Sequence, residues 1–184
     1  MTEAEFDAFY AASYPRLVGQ LYAMTGDWAE AQDVVQEAFI RAWDRRSRFE
    51  LLAAPESWIR TVAWRLAVSR LRRLRRGAEL LRRHHVERVE PDVAASANGD
   101  HAELVRALRT LTEHQRRAVV LHYLCDLSVE DVAAETGTTV NAVKARLARG
   151  RAALAAALGE QAGDEAGAHP PDRQRERARQ GGPR

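Results

Sequence analysis

Apolar residues recur at three- and four-residue spacing from about Glu5 to Arg76 and again from His101 to Leu158, and no segment alternates apolar with polar residues. That periodicity admits helices and excludes a sheet. The chain is therefore expected to be all-α. Its stops and starts are marked: Gly26 ends a first helix, and Asp27 with Glu30 forms an Asp-x-x-Glu variant of the capping box. Pro55 suits a helix first turn, and Gly77 is a stop after Arg76. Residues 77–100 lose the periodicity and gather Pro, Asn, Ser and Gly, as a linker does. The second helical unit is jointed by Thr112 with Gln115 and by Ser128 with Asp131. Past Leu158 large apolar residues almost vanish, so 159–184 is expected to be a disordered tail. The reading is thus two small helical domains, 1–76 and 101–158, joined by a flexible linker.

The net charge of +2 conceals an alternation. Residues 1–44 hold eight acids and two bases; 45–90 hold thirteen bases and five acids. Residues 91–137 hold eight acids and four bases, while 138–158 hold four bases and no acid. Two basic blocks separated by acidic ones point to two separate contacts with a polyanion. The N-terminus "MTEAEFDAFY" is acidic and has no apolar run, so no signal peptide is expected. Nothing approaches the ~18 apolar residues of a membrane span. Cys125 is the single cysteine, which excludes an internal disulfide. A cytoplasmic protein without membrane contact is expected.

The segment "SVEDVAAETGTTVNAVKARLARGR" has the plan of a helix-turn-helix. Ser128 to Glu135 makes a short helix, Gly137 sits at the turn, and Thr139 caps the next helix. Ala133 and Gly137 are small where the two helices should approach. Val132, Val140, Val143 and Leu147 form the inner face. Asn141, Lys144, Ala145, Ala148 and Arg149 point outward, flanked by Arg146 and Arg151. Such a helix fits a major groove. A basic amphipathic helix that only faces water is the bland rival, and the cap, turn glycine and small residues weigh against it.

In the first unit, Arg60, Arg65, Arg70, Arg72, Arg73, Arg75 and Arg76 crowd the helix after Pro55, with Trp58 and Trp64 between them. "RRSRF" adds Arg45, Arg46, Arg48 and Phe49 on a loop. Rings among guanidinium groups suit single-stranded nucleic acid, where bases stack and phosphates pair. Core positions are the alternative for both tryptophans, and for Trp58 the favoured one. "DVVQEAFIRAW" differs in sign. Val35, Ala38, Phe39 and Ala42 share one face, while Asp33, Gln36, Glu37, Ile40 and Asp44 share the other, with Arg41 beside them. An isoleucine inside a charged rim has the anatomy of a protein interface.

These three features in this order resemble the extracytoplasmic-function (ECF) class of bacterial sigma factors, group 4 of the sigma-70 family. "D-x-x-Q-E-x-F" followed by "A-W", and "TVNAVKARLARGR", carry the resemblance. It implies a sigma region 2 helical bundle and a sigma region 4 helix-turn-helix. It implies binding to core RNA polymerase and promoter-specific initiation. Asp33, Gln36, Glu37, Ile40 and Arg41 would dock on the clamp helices of the polymerase β′ subunit. Arg46, Arg48, Phe49, Trp58, Arg60, Trp64 and Arg65 would melt and read single-stranded DNA at the −10 element. Lys144, Ala145, Arg146 and Arg149, with Thr139, Asn141 and Arg151, would meet double-stranded DNA at the −35 element. The polymerase β flap and an anti-sigma factor are further implied partners. Arg65 and Ser69 stand where the family often has Asn and Asp, so promoter preference does not carry over.

Two rivals come from other classes. A stand-alone helix-turn-helix regulator explains the second unit but neither the acidic face nor the second basic surface. An enzyme has little support: His122 and Cys125 have zinc-like spacing, but two ligands make no metal site. No catalytic constellation and no cofactor motif stands out.

Overall fold

The computed structural model describes residues 1–82 and 99–167; most of the linker and the last part of the tail lie outside them. Eight α-helices follow in order among these residues, without a strand. They are α1 (Glu3–Thr25), α2 (Trp28–Asp44), α3 (Arg46–Phe49), α4 (Pro55–Arg82), α5 (Gly99–Arg109), α6 (Glu113–Val119), α7 (Val129–Thr136) and α8 (Val140–Gly167). Helices α1, α2 and α4 pack on one another as a bundle, and α5 to α8 form the second unit. A π-helical turn, Val120–Leu124, follows α6.

The caps explain most boundaries. Thr2 and Glu5 make a full capping box ahead of α1, two residues earlier than the periodicity suggested. Asp27 accepts from the Glu30 N–H at 2.9 Å, but Glu30 does not reach back. Its carboxylate turns instead to Arg70 at 3.4 Å, tying α2 to α4. Thr112 and Gln115 form the complete box before α6. At α7 the Ser128 hydroxyl accepts from the Asp131 N–H and donates to its carboxylate.

Glycine ends helices only where its φ is positive. Gly26 (φ 77°) and Gly137 (φ 65°) are left-handed and close α1 and α7. Gly77 and Gly159 are helical, so α4 continues to Arg82 and α8 to Gly167. The expected stops at 76 and 158 are thus corrected, since a glycine inside a helix costs only about 1 kcal/mol. The expected close approach at the turn is corrected too. A Cβ on Gly137 would meet nothing within 4 Å, whereas one on Gly150 would come within 2.8 Å of Val119 Cγ2. The tight contact of the second unit is therefore between α6 and α8.

In the first unit Leu17, Leu21, Met24, Val34, Val35 and Ile59 are fully buried; in the second, Leu108, Val120, Leu121, Val132 and Val143 are. The buried apolar residues form one continuous cluster through both units. Across their boundary, Arg109 Nη2 donates to the Gly26 carbonyl at 2.9 Å. Gly26→Ala would place a methyl 2.5 Å from Arg109 Nε on a backbone that L side chains avoid. A loss of about 1–2 kcal/mol in urea unfolding is expected from the backbone alone.

Candidate polymerase and nucleic-acid interfaces

Helix α2 buries Val34, Val35, Ala38, Phe39 and Ala42 and leaves the opposite face open. Ile40 is 53% exposed, with Asp33, Gln36 and Arg41 exposed around it. Glu37 and Arg41 pair at 2.9 Å one turn apart, an exposed bridge of little energetic consequence. Phe39 points the other way, into rings: Tyr10 lies 4.8 Å from it, Phe9 5.8 Å and Phe6 6.2 Å. The exposed isoleucine and the buried ring beneath it are therefore sequence neighbours. Beside Ile40 lies a concavity of about 460 Å³ whose far wall is α1, contributing Glu3, Asp7 and Tyr10. The sequence reading missed this wall. Its signal was the i, i+4, i+7 spacing of those three residues on one helix face.

The residues expected at single-stranded DNA divide into two groups. Arg46, Arg48 and Arg65 are exposed, and Arg46 sits over the Trp43 ring at 4.7 Å. The others are turned inward. "RSRF" is the helical turn α3 rather than a loop, and Phe49 is 2% exposed, edge-on to Trp58 at 5.6 Å. Phe49 is thus core and has no free face for a base. Trp58 is half-buried against it, in line with its expected core position. Trp64 is 8% exposed and is covered by Arg117 of α6, 5.0 Å from its ring.

Arg60 is the largest departure from the sequence reading. It is 4% exposed and makes a two-point pair with Glu135 at the end of α7, at 2.9 and 2.7 Å. Ser57 donates to the same carboxylate at 2.7 Å, and Arg60 also donates to Gln20 at 3.2 Å. Burial opposes the Arg60 cation, but hydrogen bonding and attraction from Glu135 outweigh it and raise its pKa. Among the described residues Arg117 donates a hydrogen bond only to the Glu135 carbonyl, at 3.3 Å, and burial brings its pKa down to about 10. It still carries its charge at neutral pH. Between the units runs a cleft of about 600 Å³ lined by Arg65, Arg72, Arg76, Arg117 and Arg146, with Glu113 the one acid among the described residues that line it.

Helix α8 holds its expected orientation. Val143 and Leu147 are buried and Val140 is half-buried. Thr139 caps the helix by accepting from the Ala142 N–H at 3.2 Å. Asn141, Lys144 and Arg149 are exposed on one outward face, with Ala145 and Arg146 half-buried beside it. Arg151 reaches Tyr123 Oη at 3.4 Å. His122 and Cys125 belong to no group of three or more His, Cys, Asp or Glu side chains that could hold a metal ion among the described residues. His122 Nδ1 hydrogen-bonds the Leu127 carbonyl at 2.7 Å, and burial pushes the Cys125 thiol up to about 11. Among the described residues no helix is long and apolar enough to cross a membrane.

Two family models match this arrangement: "Sigma-70 region 2" over residues 9–77 and "Sigma-70, region 4" over residues 101–154. The fold and these two matches define a sigma-70 type protein. The ECF RNA polymerase sigma factor SigC of Mycobacterium tuberculosis is 31% identical over 140 residues, covering 76% of each chain. SigK of the same species is 26% identical over 151 residues, 79% of this chain and 81% of that one. Among solved structures, the sigma factor RpoE in complex with the anti-sigma factor NepR, from Bartonella quintana, superposes with a TM-score of 0.70. It is 25% identical and the match covers 84% of this chain and 97% of that one. CnrH, solved with the cytosolic domain of CnrY, shares the fold with a TM-score of 0.63 at 24% identity, over 86% of this chain and 90% of that one.

The chain belongs to the ECF class of RNA polymerase sigma factors. It acts with core polymerase in promoter-specific transcription initiation, and the stand-alone regulator is not favoured.

Proposed function

We propose that three separate surfaces divide this work. The α2 face centred on Ile40, with Asp33, Gln36, Glu37 and Arg41, docks on the clamp helices of the β′ subunit. Arg46, Arg48 and Arg65, with Arg60 once it is freed, hold the single-stranded −10 element. Thr139, Asn141, Lys144, Ala145, Arg146, Arg149 and Arg151 meet the −35 duplex, while the second unit also touches the β flap. Residues 1–76 and 101–158 are the two functional domains. The observation that carries this reading is the segregation of charge. The exposed isoleucine has an acidic surround that phosphates would repel, while the arginines gather on α3, α4 and α8.

The partner of such a protein sets its location, so a cytoplasmic, non-catalytic subunit is proposed. An anti-sigma factor is a further proposed partner, supported by the relative RpoE having been solved with one. Replacing Arg149 with Ala tests the −35 assignment by binding to duplexes that vary at single positions. If Arg149 reads a base edge, discrimination at one position falls by about 1–3 kcal/mol. A uniform loss over all sequences, with a shallower salt dependence, would reassign it to phosphate.

A further inference from the structure

The five arginines of the 600 Å³ cleft come from three helices: Arg65, Arg72 and Arg76 from α4, Arg117 from α6 and Arg146 from α8. Among the described residues none of the five forms an ion pair, and Glu113 in the same lining forms none either. The hydrogen bonds they donate there go to backbone carbonyls, from Arg76 to Arg72 at 3.3 Å and from Arg117 to Glu135 at 3.3 Å. A carbonyl accepts a hydrogen bond but carries no full charge, so the five cations stay uncompensated. Arg117 shows the consequence. Its Nε is buried without a hydrogen-bond partner among the described residues, and burial, with repulsion from Arg65 added, lowers its pKa.

We propose that this cleft is a binding site for a compact polyphosphate anion, either inorganic or carried by a nucleoside. Guanidinium forks match phosphate oxygens in geometry as well as charge. Like charges gathered in a cleft also focus their field on an incoming anion. A volume of about 600 Å³ is that of a small-molecule pocket. The walls are preformed, because the buried apolar cluster runs through both units and includes Ala67 of α4, Val119 of α6 and Leu147 of α8. A site so held spends little on ordering its side of the complex. One phosphate would engage only part of the set, so several linked phosphates fit it better. Trp64 lies under Arg117 and is 8% exposed, so it offers no open face to a base and the phosphates carry recognition. The inference needs only the placement of Arg65 and Arg146, not the DNA roles proposed for them above.

The test is isothermal titration calorimetry on the full chain at about 0.15 M salt, where exposed charges more than about 8 Å apart are largely screened. Inorganic tripolyphosphate, ATP, orthophosphate and an oligothymidylate are titrated in turn. One tripolyphosphate should bind per chain, and orthophosphate should bind much more weakly. Arg72→Gln and Arg146→Gln, on different helices, should each weaken tripolyphosphate binding about tenfold, as the loss of a charge-assisted hydrogen bond does. Arg72 is exposed, so its variant should melt at the wild-type temperature and report binding alone. Arg106→Gln removes the same charge from an exposed position outside the cleft and should change binding little. ATP should bind as tripolyphosphate does. Tighter ATP binding that is still lost with Arg72→Gln upholds the site and identifies a nucleoside polyphosphate as its ligand. An equal loss with Arg106→Gln, or several ions bound per chain, would reduce the site to diffuse attraction and overturn the proposal. Heat from the oligothymidylate alone would also overturn it, by making the cleft part of a nucleic-acid surface.

Discussion

Phe39→Ala should lower the stability of the protein by about 3–5 kcal/mol in urea or thermal unfolding, the range for a large aromatic removed from a core. Phe39 is 2% exposed, and the rings of Phe6, Phe9, Tyr10 and Tyr14 all lie within 6.2 Å of its centroid. Those rings come from α1, so the deletion loosens the α1–α2 contact and leaves a cavity that rigid neighbours cannot fill. A loss of this size is a large share of the ~5–15 kcal/mol that holds a domain folded. Phe39→Leu keeps most of the volume and should cost less than about 1.5 kcal/mol. If the α2 face proposed to dock on polymerase does so, polymerase binding should also fall with Phe39→Ala, because that face loses its support.

Ile40→Asp should do the opposite: the fold stays and the partner is lost. Ile40 is 53% exposed, so an aspartate there meets water and disturbs no core. In a complex it would be buried at the centre of an interface, where truncation of such an anchor costs about 2 kcal/mol or more. That is ~30-fold in affinity for core polymerase. Added charge in an already acidic rim can only increase the effect if the partner surface is apolar at that point. An unchanged affinity, measured against unchanged thermal unfolding, would move the docking face elsewhere.

The contrast between these adjacent residues was legible in the sequence. Helical periodicity places Phe39 inward and Ile40 outward, and the structure agrees. The inner face of α8 was equally legible, since Val143 and Leu147 follow the same rule. What periodicity cannot do is say what a ring on a half-open face will touch. Phe49 and Trp64 look alike to a base-stacking surface and to a core, and both proved to be covered. Nor does it see contacts between units. Glu135 reads as the polar end of a short helix, and nothing local in "AAET" tells of Arg60, 75 residues earlier. Glycine stops misled for a related reason. Composition alone does not reveal φ, so Gly26 and Gly77 look equivalent although only Gly26 is left-handed.

The most direct test is run-off transcription on genomic DNA fragments with purified core polymerase, with and without this protein. The account predicts discrete transcripts that appear only with the protein and share upstream elements in the −35 and −10 regions. It predicts their loss with Ile40→Asp. If core polymerase with this protein yields no promoter-specific transcript on any fragment, the account of its three surfaces is contradicted.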